Sequence, residues 1–230
     1  HAHAGDGGGV VSLARYQGMM RFPLIAEVQA YWEGLRAGRQ LPLRSEVDPR
    51  GIERALEYAF VLERIAPQVA RFRLAGMHLN DLMGMEVRGM PLTSFFLPQT
   101  RDRVGGIVEQ VFQGPAIADL SLTAEGGPGK PALDARLLVL PLKSDLGDVS
   151  RALGCLISDG QIGRAPRRFD LAEARITTVE PGRPTQTARA GLPQRASGLA
   201  EAAAPFRAAS APAPHAGRSR AHLRLVKSED

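Results

Sequence analysis

The sequence has little cysteine, few aromatic residues and no long apolar run. Cys155 is the only cysteine among its 230 residues, and Phe, Trp and Tyr together make up 5% of the chain. A single cysteine excludes an internal disulfide and is typical of a reducing compartment. No segment approaches the roughly 18 apolar residues of a membrane-spanning helix, and the N-terminus lacks the apolar region of a secretory signal. We therefore predict a cytoplasmic protein without a membrane span.

Groups that could converge on a reactive centre are also scarce. The five histidines are spread along the chain, and His78 is the only one in its central part. A lone histidine cannot form a metal centre. The serines lie in no nucleophile-elbow motif, and Gly126–Gly129 precedes a predicted strand instead of the helix of a phosphate-binding loop. The sequence therefore predicts a non-enzymatic protein with no catalytic residues and no metal site.

The positive charge is concentrated in the C-terminal part of the chain. Residues 164–230 contain 12 Lys and Arg against 6 Asp and Glu, whereas residues 1–163 contain 17 against 18. The C-terminal part is also rich in Ala, Pro and Arg, and it cannot bury enough apolar surface to offset the entropy of ordering it. We therefore predict a flexible leader at residues 1–18, one folded domain at residues 19–163, and a disordered tail at residues 164–230.

Two segments of this tail leave alternatives open. Phe169 to Ile176 could form a helical turn or two, and Ala221 to Lys227 (AHLRLVK) has the apolar alternation of a short docking motif. The arginines of the tail could also contact nucleic acid, although few aromatic side chains stand between them for base stacking. Disorder is the primary prediction for the tail, and nucleic-acid binding is a secondary one.

An amphipathic helix is predicted from Met19 to Ala37. Apolar side chains recur there at helical spacing, and Pro23 suits the first turn. The stripe consists of Leu24, Val28, Trp32 and Leu35. It could pack on the sheet of its own chain or on a second copy of the protein. We predict a homodimer that uses this stripe as its contact.

Five further segments are predicted to be strands, mostly from apolar alternation, and the fourth of them is long and mostly apolar. They are Tyr58–Ile65, Val69–Leu74, Ala116–Ala124, Ala132–Lys143 and Arg151–Ser158. Short helical turns and a longer helix, Arg101–Phe112, separate the second strand from the third. This order predicts an α+β fold, in which a five-stranded antiparallel sheet carries a helical block on one face and the N-terminal helix flanks it.

Three short motifs around the second strand carry a family resemblance. They are RFRLAG at residues 71–76, NDLMG at 80–84 and VRGMP at 87–91, followed by Phe95 and Phe96. Through these motifs the chain, from about Met19 to Gly160, resembles the PAS domain superfamily, in particular a standalone PAS family of alphaproteobacteria. The resemblance implies a sensory or adaptor protein that contacts other signalling proteins, in the regulation of motility or of the cell cycle.

The resemblance also implies where a ligand would bind. PAS proteins hold ligands between the sheet and its helices, and the side chains there would be Phe60, Phe72, Leu82, Phe95, Val108 and Leu138. These six could enclose a small apolar metabolite, and they are equally typical of any apolar core. Haem-binding members present a histidine from the long helix, flavin photosensors present a cysteine from the helical block, and this sequence has neither. We therefore predict no cofactor.

Overall fold

The chain folds around one antiparallel sheet. The computed structural model describes residues 21–182, so the predicted leader and the part of the predicted tail after residue 182 lie outside the described residues. The strands are β1 (Ala59–Ala66), β2 (Val69–Ala75), β3 (Ala116–Ala124), β4 (Leu133–Leu142), β5 (Arg151–Asp159) and β6 (Asp170–Thr178). Their order across the sheet is β2-β1-β5-β4-β3-β6, and every neighbouring pair is antiparallel. The predicted α+β fold class is confirmed.

Within residues 21–182, three α-helices and several 3₁₀ segments flank the sheet. The helices are α1 (Pro23–Arg36), α2 (Met77–Met83) and α3 (Arg101–Gln113), and the 3₁₀ segments are Arg44–Glu46, Pro49–Tyr58, Leu92–Phe95 and Pro98–Thr100. Pro23 opens α1, where its missing N–H needs no partner, and Ala37 ends the helix at a φ of 46°. In this part of the chain, no helix is long and apolar enough to cross a membrane.

Apolar side chains cover both faces of the sheet. On the inner face, α2, α3 and the segments between them cover a core that includes Phe60, Leu62, Phe72, Leu79, Phe95, Phe96, Val108 and Leu137. On the outer face, α1 and the Pro49–Tyr58 segment cover a second core that includes Val28, Trp32, Ile52, Leu138, Leu140, Leu153 and Cys155. Strand β4 is buried on both faces, because its alternate side chains enter different cores.

The sixth strand lies where the sequence predicted a disordered tail. β6 pairs with β3 along its whole length, and Phe169, directly before it, is fully buried. The Phe169 N–H donates to the Phe95 carbonyl at 2.8 Å, and its carbonyl accepts from the Leu97 N–H at 3.0 Å. The predicted end of the domain at residue 163 is therefore wrong. The sheet has six strands, and the segment from Phe169 to Ile176 forms no helical turn.

The physical reason for this difference is that an edge strand needs few apolar residues. Phe169, Leu171 and Val179 are buried and supply the apolar contacts of the segment. Hydrogen bonds to β3 satisfy its backbone. The composition of residues 164–230, averaged over the whole segment, does not reveal so short an apolar pattern.

A buried arginine fixes the connection between β5 and β6. Arg167 is 2% exposed, and its guanidinium donates to the carbonyl of Ile162 and, at 2.6 Å, to that of Pro131. The Arg167 N–H donates to the Leu82 carbonyl at 2.7 Å. These contacts tie the connection both to α2 and to the hairpin of β3 and β4, so that β6 is held as part of the domain.

Candidate functional site

The inner core brings together five of the six residues that the sequence predicted for a ligand pocket. Phe60, Phe72, Leu82, Phe95 and Val108 all belong to it, and each is at most 3% exposed. The Phe72 ring lies edge-on to the Phe60 ring, with centroids 5.2 Å apart, and to the Phe95 ring, with centroids 5.4 Å apart. Aromatic rings therefore fill the space between these strands and helices. Ligand binding by these residues stays a prediction.

A glycine on the neighbouring strand makes room for this aromatic row. Gly154 pairs with Phe60 across β1 and β5. A Cβ added to Gly154 would lie 2.1 Å from the Phe60 ring, far inside van der Waals contact. The ring therefore occupies the space that a side chain at Gly154 would take.

The sixth predicted pocket residue, Leu138, does not belong to this group. It lies in the outer core with α1, whereas its neighbours Leu137 and Val139 lie in the inner core. The error has a plain cause, because β4 is apolar on both faces and its sequence therefore shows no alternation that would assign Leu138 to one of them.

The stripe of α1 packs on the sheet of its own chain. Val28 and Trp32 are fully buried in the outer core, and the Trp32 indole N–H donates to the Pro141 carbonyl at 2.9 Å. Leu24 and Leu35 are only partly buried. The two central residues of the predicted dimer contact are thus already covered within one chain, which agrees with the intramolecular alternative. The homodimer itself stays a prediction.

A groove opens on the outer face of the sheet at its β1–β2 end, beside the area that α1 covers. A cavity of about 240 Å³ lies there between the two strands and the connection that follows α1, and a larger hollow of about 680 Å³ adjoins it. Four residues line both parts, namely Arg44, Val61, Leu74 and Arg88. We call the two parts together the arginine groove, whose lining also includes Ile65, Arg71, Arg73 and Arg151.

The charge of the arginine groove is predominantly positive. Five arginines line the hollow, and the carboxylates of the groove are Glu63 and Asp145 in the hollow and Glu86 in the cavity. Glu63 already pairs with Arg73 at 3.1 Å and with Arg151 at 2.7 Å. Within residues 21–182, Arg44 and Arg71 have no carboxylate within ion-pair distance, and the nearest one to Arg88 is that of Glu86, at 3.8 Å. Three guanidinium groups therefore remain available to an anionic group.

Backbone hydrogen bonds hold Arg44 and Arg88 in place on opposite sides of the groove. The Arg44 N–H donates to the Lys143 carbonyl at 2.8 Å, at the end of β4. Next to Arg88, the Gly89 N–H donates to the Phe72 carbonyl at 2.8 Å, on the outer edge of β2, where the Phe72 N–H also donates to the Met90 carbonyl. Because both segments are attached to the sheet, the backbone of each arginine has a defined position.

A bulge turns an apolar side chain of β2 into the groove. The alternation of RFRLAG predicts that Phe72 and Leu74 share a face. In the structure Val61 pairs with Leu74 and Leu62 with Phe72, so that β2 has one extra residue between these pairs. Phe72 consequently enters the inner core, whereas Leu74 is 46% exposed and lies on the floor of the groove.

Sequence reasoning missed the arginine groove. Its arginines come from motifs that are far apart in the chain, with Arg44 in PLRSEVDP, Arg71 and Arg73 in RFRLAG, and Arg88 in VRGMP. The one available signal was the alternation of β2, which directs Arg71 and Arg73 away from the core. The approach of the other two arginines depends on the tertiary fold.

Two titratable side chains outside the groove, those of His78 and Cys155, have their pKa values shifted by burial. The Ser158 hydroxyl lies 3.0 Å from His78 Nε2, and the His78 ring stands edge-on to the Tyr58 ring, with centroids 4.8 Å apart. Burial lowers the pKa of His78 and raises the pKa of the Cys155 thiol to about 12. Among the described residues, no group of three His, Cys, Asp or Glu side chains is arranged to hold a metal ion.

Comparisons with known proteins identify the family. A search of curated proteins finds no match. Among solved structures, the chain is similar to the light state structure of the blue-light photoreceptor Aureochrome1 LOV. The identity is 13% and the TM-score 0.33, over 49% of this chain and 88% of that one. It is also similar to an RNA-binding Light-Oxygen-Voltage receptor, at 15% identity and a TM-score of 0.33, over 68% of this chain and 36% of that one. A family model described as PAS domain matches residues 20–157, more than half of the chain, and the chain therefore belongs to the PAS domain family.

Proposed function

We propose that this PAS domain protein is a non-enzymatic signalling adaptor that acts through contact with other proteins. A PAS domain is a sensory or signalling module. The observation that carries the proposal is the distribution of side chains. Aromatic rings fill the centre of the inner core, whereas exposed apolar and cationic side chains gather in the arginine groove.

The inner core favours contact at the surface over a ligand within the domain. Phe60, Phe72 and Phe95 are each at most 1% exposed. A ligand that entered between them would have to displace at least one ring, and loss of the contacts of one buried phenylalanine costs about 3–5 kcal/mol. A small apolar metabolite is thus the alternative to the proposal, and it predicts a rearranged core.

The resemblance to standalone PAS proteins supports finer parts of the proposal. The partners would be other signalling proteins in the cytoplasm, and the regulated process would be motility or the cell cycle. The output would be an exchange of one bound protein for another, because such an exchange needs no reactive group on this chain.

Affinity capture from the source cell tests the proposal. The full chain and a chain that ends at residue 182 serve as two baits. We expect both to recover the same signalling protein, and this protein to rebind when the two components are purified separately. Native mass spectrometry of the purified full chain is the second measurement. We expect a mass that is explained by polypeptide without a bound small molecule. The absence of any protein that rebinds would contradict the proposal, and a stoichiometric small molecule would then support the alternative.

A further inference from the structure

We propose that the arginine groove binds an acidic segment of the partner protein, which places an apolar side chain over Val61 and Leu74. This inference rests on the proposed function and names the chemistry of the partner. Carboxylates of the segment would pair with Arg44, Arg71 and Arg88, the three guanidinium groups that no nearby carboxylate of the described chain engages closely.

Exposed apolar side chains gather at this end of the sheet. Leu74 lies in both parts of the groove, Leu56 in the cavity and Ile65 in the hollow, and each of the three is 46% exposed. Met77, which is 66% exposed, lies beside Leu56 in a neighbouring depression. Apolar groups with a rim of arginines are the composition of a protein-binding surface, because arginine and large apolar residues supply most of the binding energy at such surfaces.

The cavity is small for an independent ligand and suits one anchoring side chain. Its volume is about 240 Å³, below the about 300–1,000 Å³ of most small-molecule pockets, and the adjoining hollow of about 680 Å³ leaves room for the segment that carries this side chain. Ile52, Ala59 and Val61 form much of its apolar wall, and each is at most 7% exposed. An apolar side chain of the partner would therefore be buried against a surface that is already in place.

Charge disfavours two other occupants of the groove. Residues 183–230 of this chain contain eight Lys and Arg against three Asp and Glu, so that this segment would be repelled by the arginines. A second copy that met the first groove to groove would oppose the same five arginines across a two-fold axis. An acidic partner replaces this repulsion with attraction.

Peptide selection tests the inference. A library of random 12-residue peptides on phage is selected on the immobilised full chain. We expect the enriched peptides to carry net negative charge and at least one large apolar residue.

A selected peptide should bind the Arg44→Ser/Arg88→Ser variant about tenfold or more weakly, because charged pairs at an interface are each worth a kcal/mol or more. It should bind the matched control Arg103→Ser/Arg168→Ser within about twofold of the unmodified chain. Arg103 and Arg168 are exposed residues outside the groove, and their replacement removes the same charge.

A second variant separates the apolar contribution from the charge. Leu74→Ser should also weaken the selected peptide, because it removes the apolar floor while every arginine remains. The inference is overturned if the enriched peptides are neutral or basic, if none is enriched, or if the control variant loses as much binding as the groove variant. It is also overturned if sedimentation shows self-association that Arg44→Ser/Arg88→Ser abolishes, since a second copy would then occupy the groove.

The outcomes distinguish a failure of the groove from a failure of the proposed function. A partner recovered by affinity capture that binds Arg44→Ser/Arg88→Ser as tightly as the unmodified chain would overturn the groove and leave the adaptor function intact. If no protein rebinds after purification, the adaptor function itself fails.

Discussion

One buried hydrogen bond joins α1 to the sheet. The Trp32 indole N–H donates to the Pro141 carbonyl, and at Pro141 strand β4 pairs only with β5, because its pairing with β3 ends at Val139. Proline has no N–H to donate to a sheet, and Pro141 accordingly lies at a local edge within a central strand. Trp32 satisfies a backbone group there that no third strand pairs.

Replacement of Trp32 should therefore affect stability and leave assembly unchanged. Trp32→Phe keeps most of the apolar contact but leaves the buried Pro141 carbonyl without its donor, which should lower the free energy of unfolding by about 1–3 kcal/mol. Urea denaturation measures this change, and Leu24→Ala, at a partly buried position of the same stripe, is the control with a smaller loss. A Trp32→Phe variant of unchanged stability that dissociates a wild-type dimer would instead support the stripe as a dimer contact.

His78 should make stability depend on pH. Burial lowers its pKa below the ordinary value of 6.5, and Ser158 N–H donates to its Nε2 at 3.4 Å, which only an unprotonated nitrogen accepts. Below pH 6.5 the unfolded chain binds a proton that the folded chain resists, so the free energy of unfolding falls as the pH decreases. Above pH 6.5 this contribution is constant.

Urea denaturation from pH 7.5 to about 5.5 measures the effect. We expect His78→Gln to flatten the decline of the wild type in this window. The carboxylates whose pKa is lowered by hydrogen bonds, Glu109 among them, titrate at lower pH and do not interfere. An equal slope in wild type and variant would show that the folded chain protonates His78 freely.

At the scale of elements, β6 decides where the domain ends. It covers the outer edge of β3, and Phe169 before it fills part of the inner core. A chain that ends at residue 163 loses both, whereas one that ends at residue 182 keeps them. Loss of the Phe169 side chain alone costs about 3–5 kcal/mol, a large part of the about 5–15 kcal/mol that stabilise an ordinary domain.

The chain that ends at residue 163 should therefore fail to unfold cooperatively, and the chain that ends at residue 182 should unfold like the full chain. Thermal unfolding followed by circular dichroism compares them, with Phe169→Ala in the full chain as the point control. Limited proteolysis of the full chain should give a protected fragment that extends past Thr178. A stable, cooperative fold in the shorter chain would show that β6 is dispensable.

The sequence predicts the elements with clear periodicity and misses the features that depend on tertiary contacts. Strands β1 to β5 follow from apolar alternation or from an apolar run between turns, and α3 follows from helical spacing. The resemblance named Phe60, Phe72 and Phe95 as pocket residues, and the structure places all three in the inner core. Leu138 was assigned to the wrong face because β4 is apolar on both. Leu74 was predicted to share a face with Phe72, because a bulge cannot be recognised from alternation. The groove depends on distant arginines, and no pattern in the sequence connects them.

At the scale of the whole molecule, the two faces of the sheet are covered to different extents. The inner face is closed by helices and packed with aromatic rings. The outer face is covered by α1 over β4 and β5, but it remains open at the β1–β2 end, where five arginines surround an apolar floor. The central claim of the proposal is that the signal passes to a protein at this open end.

Hydrogen exchange of the full chain, alone and with the captured partner, tests that claim most directly. Mass spectrometry should show slower exchange on binding in residues 43–48, 70–75 and 84–90, which carry Arg44, Arg71, Leu74 and Arg88, because a bound segment excludes water there. Exchange in α3, on the other side of the sheet, should remain the same. Protection confined to α2 and α3, with none in the three groove segments, would contradict the claim and place the contact on the helical face.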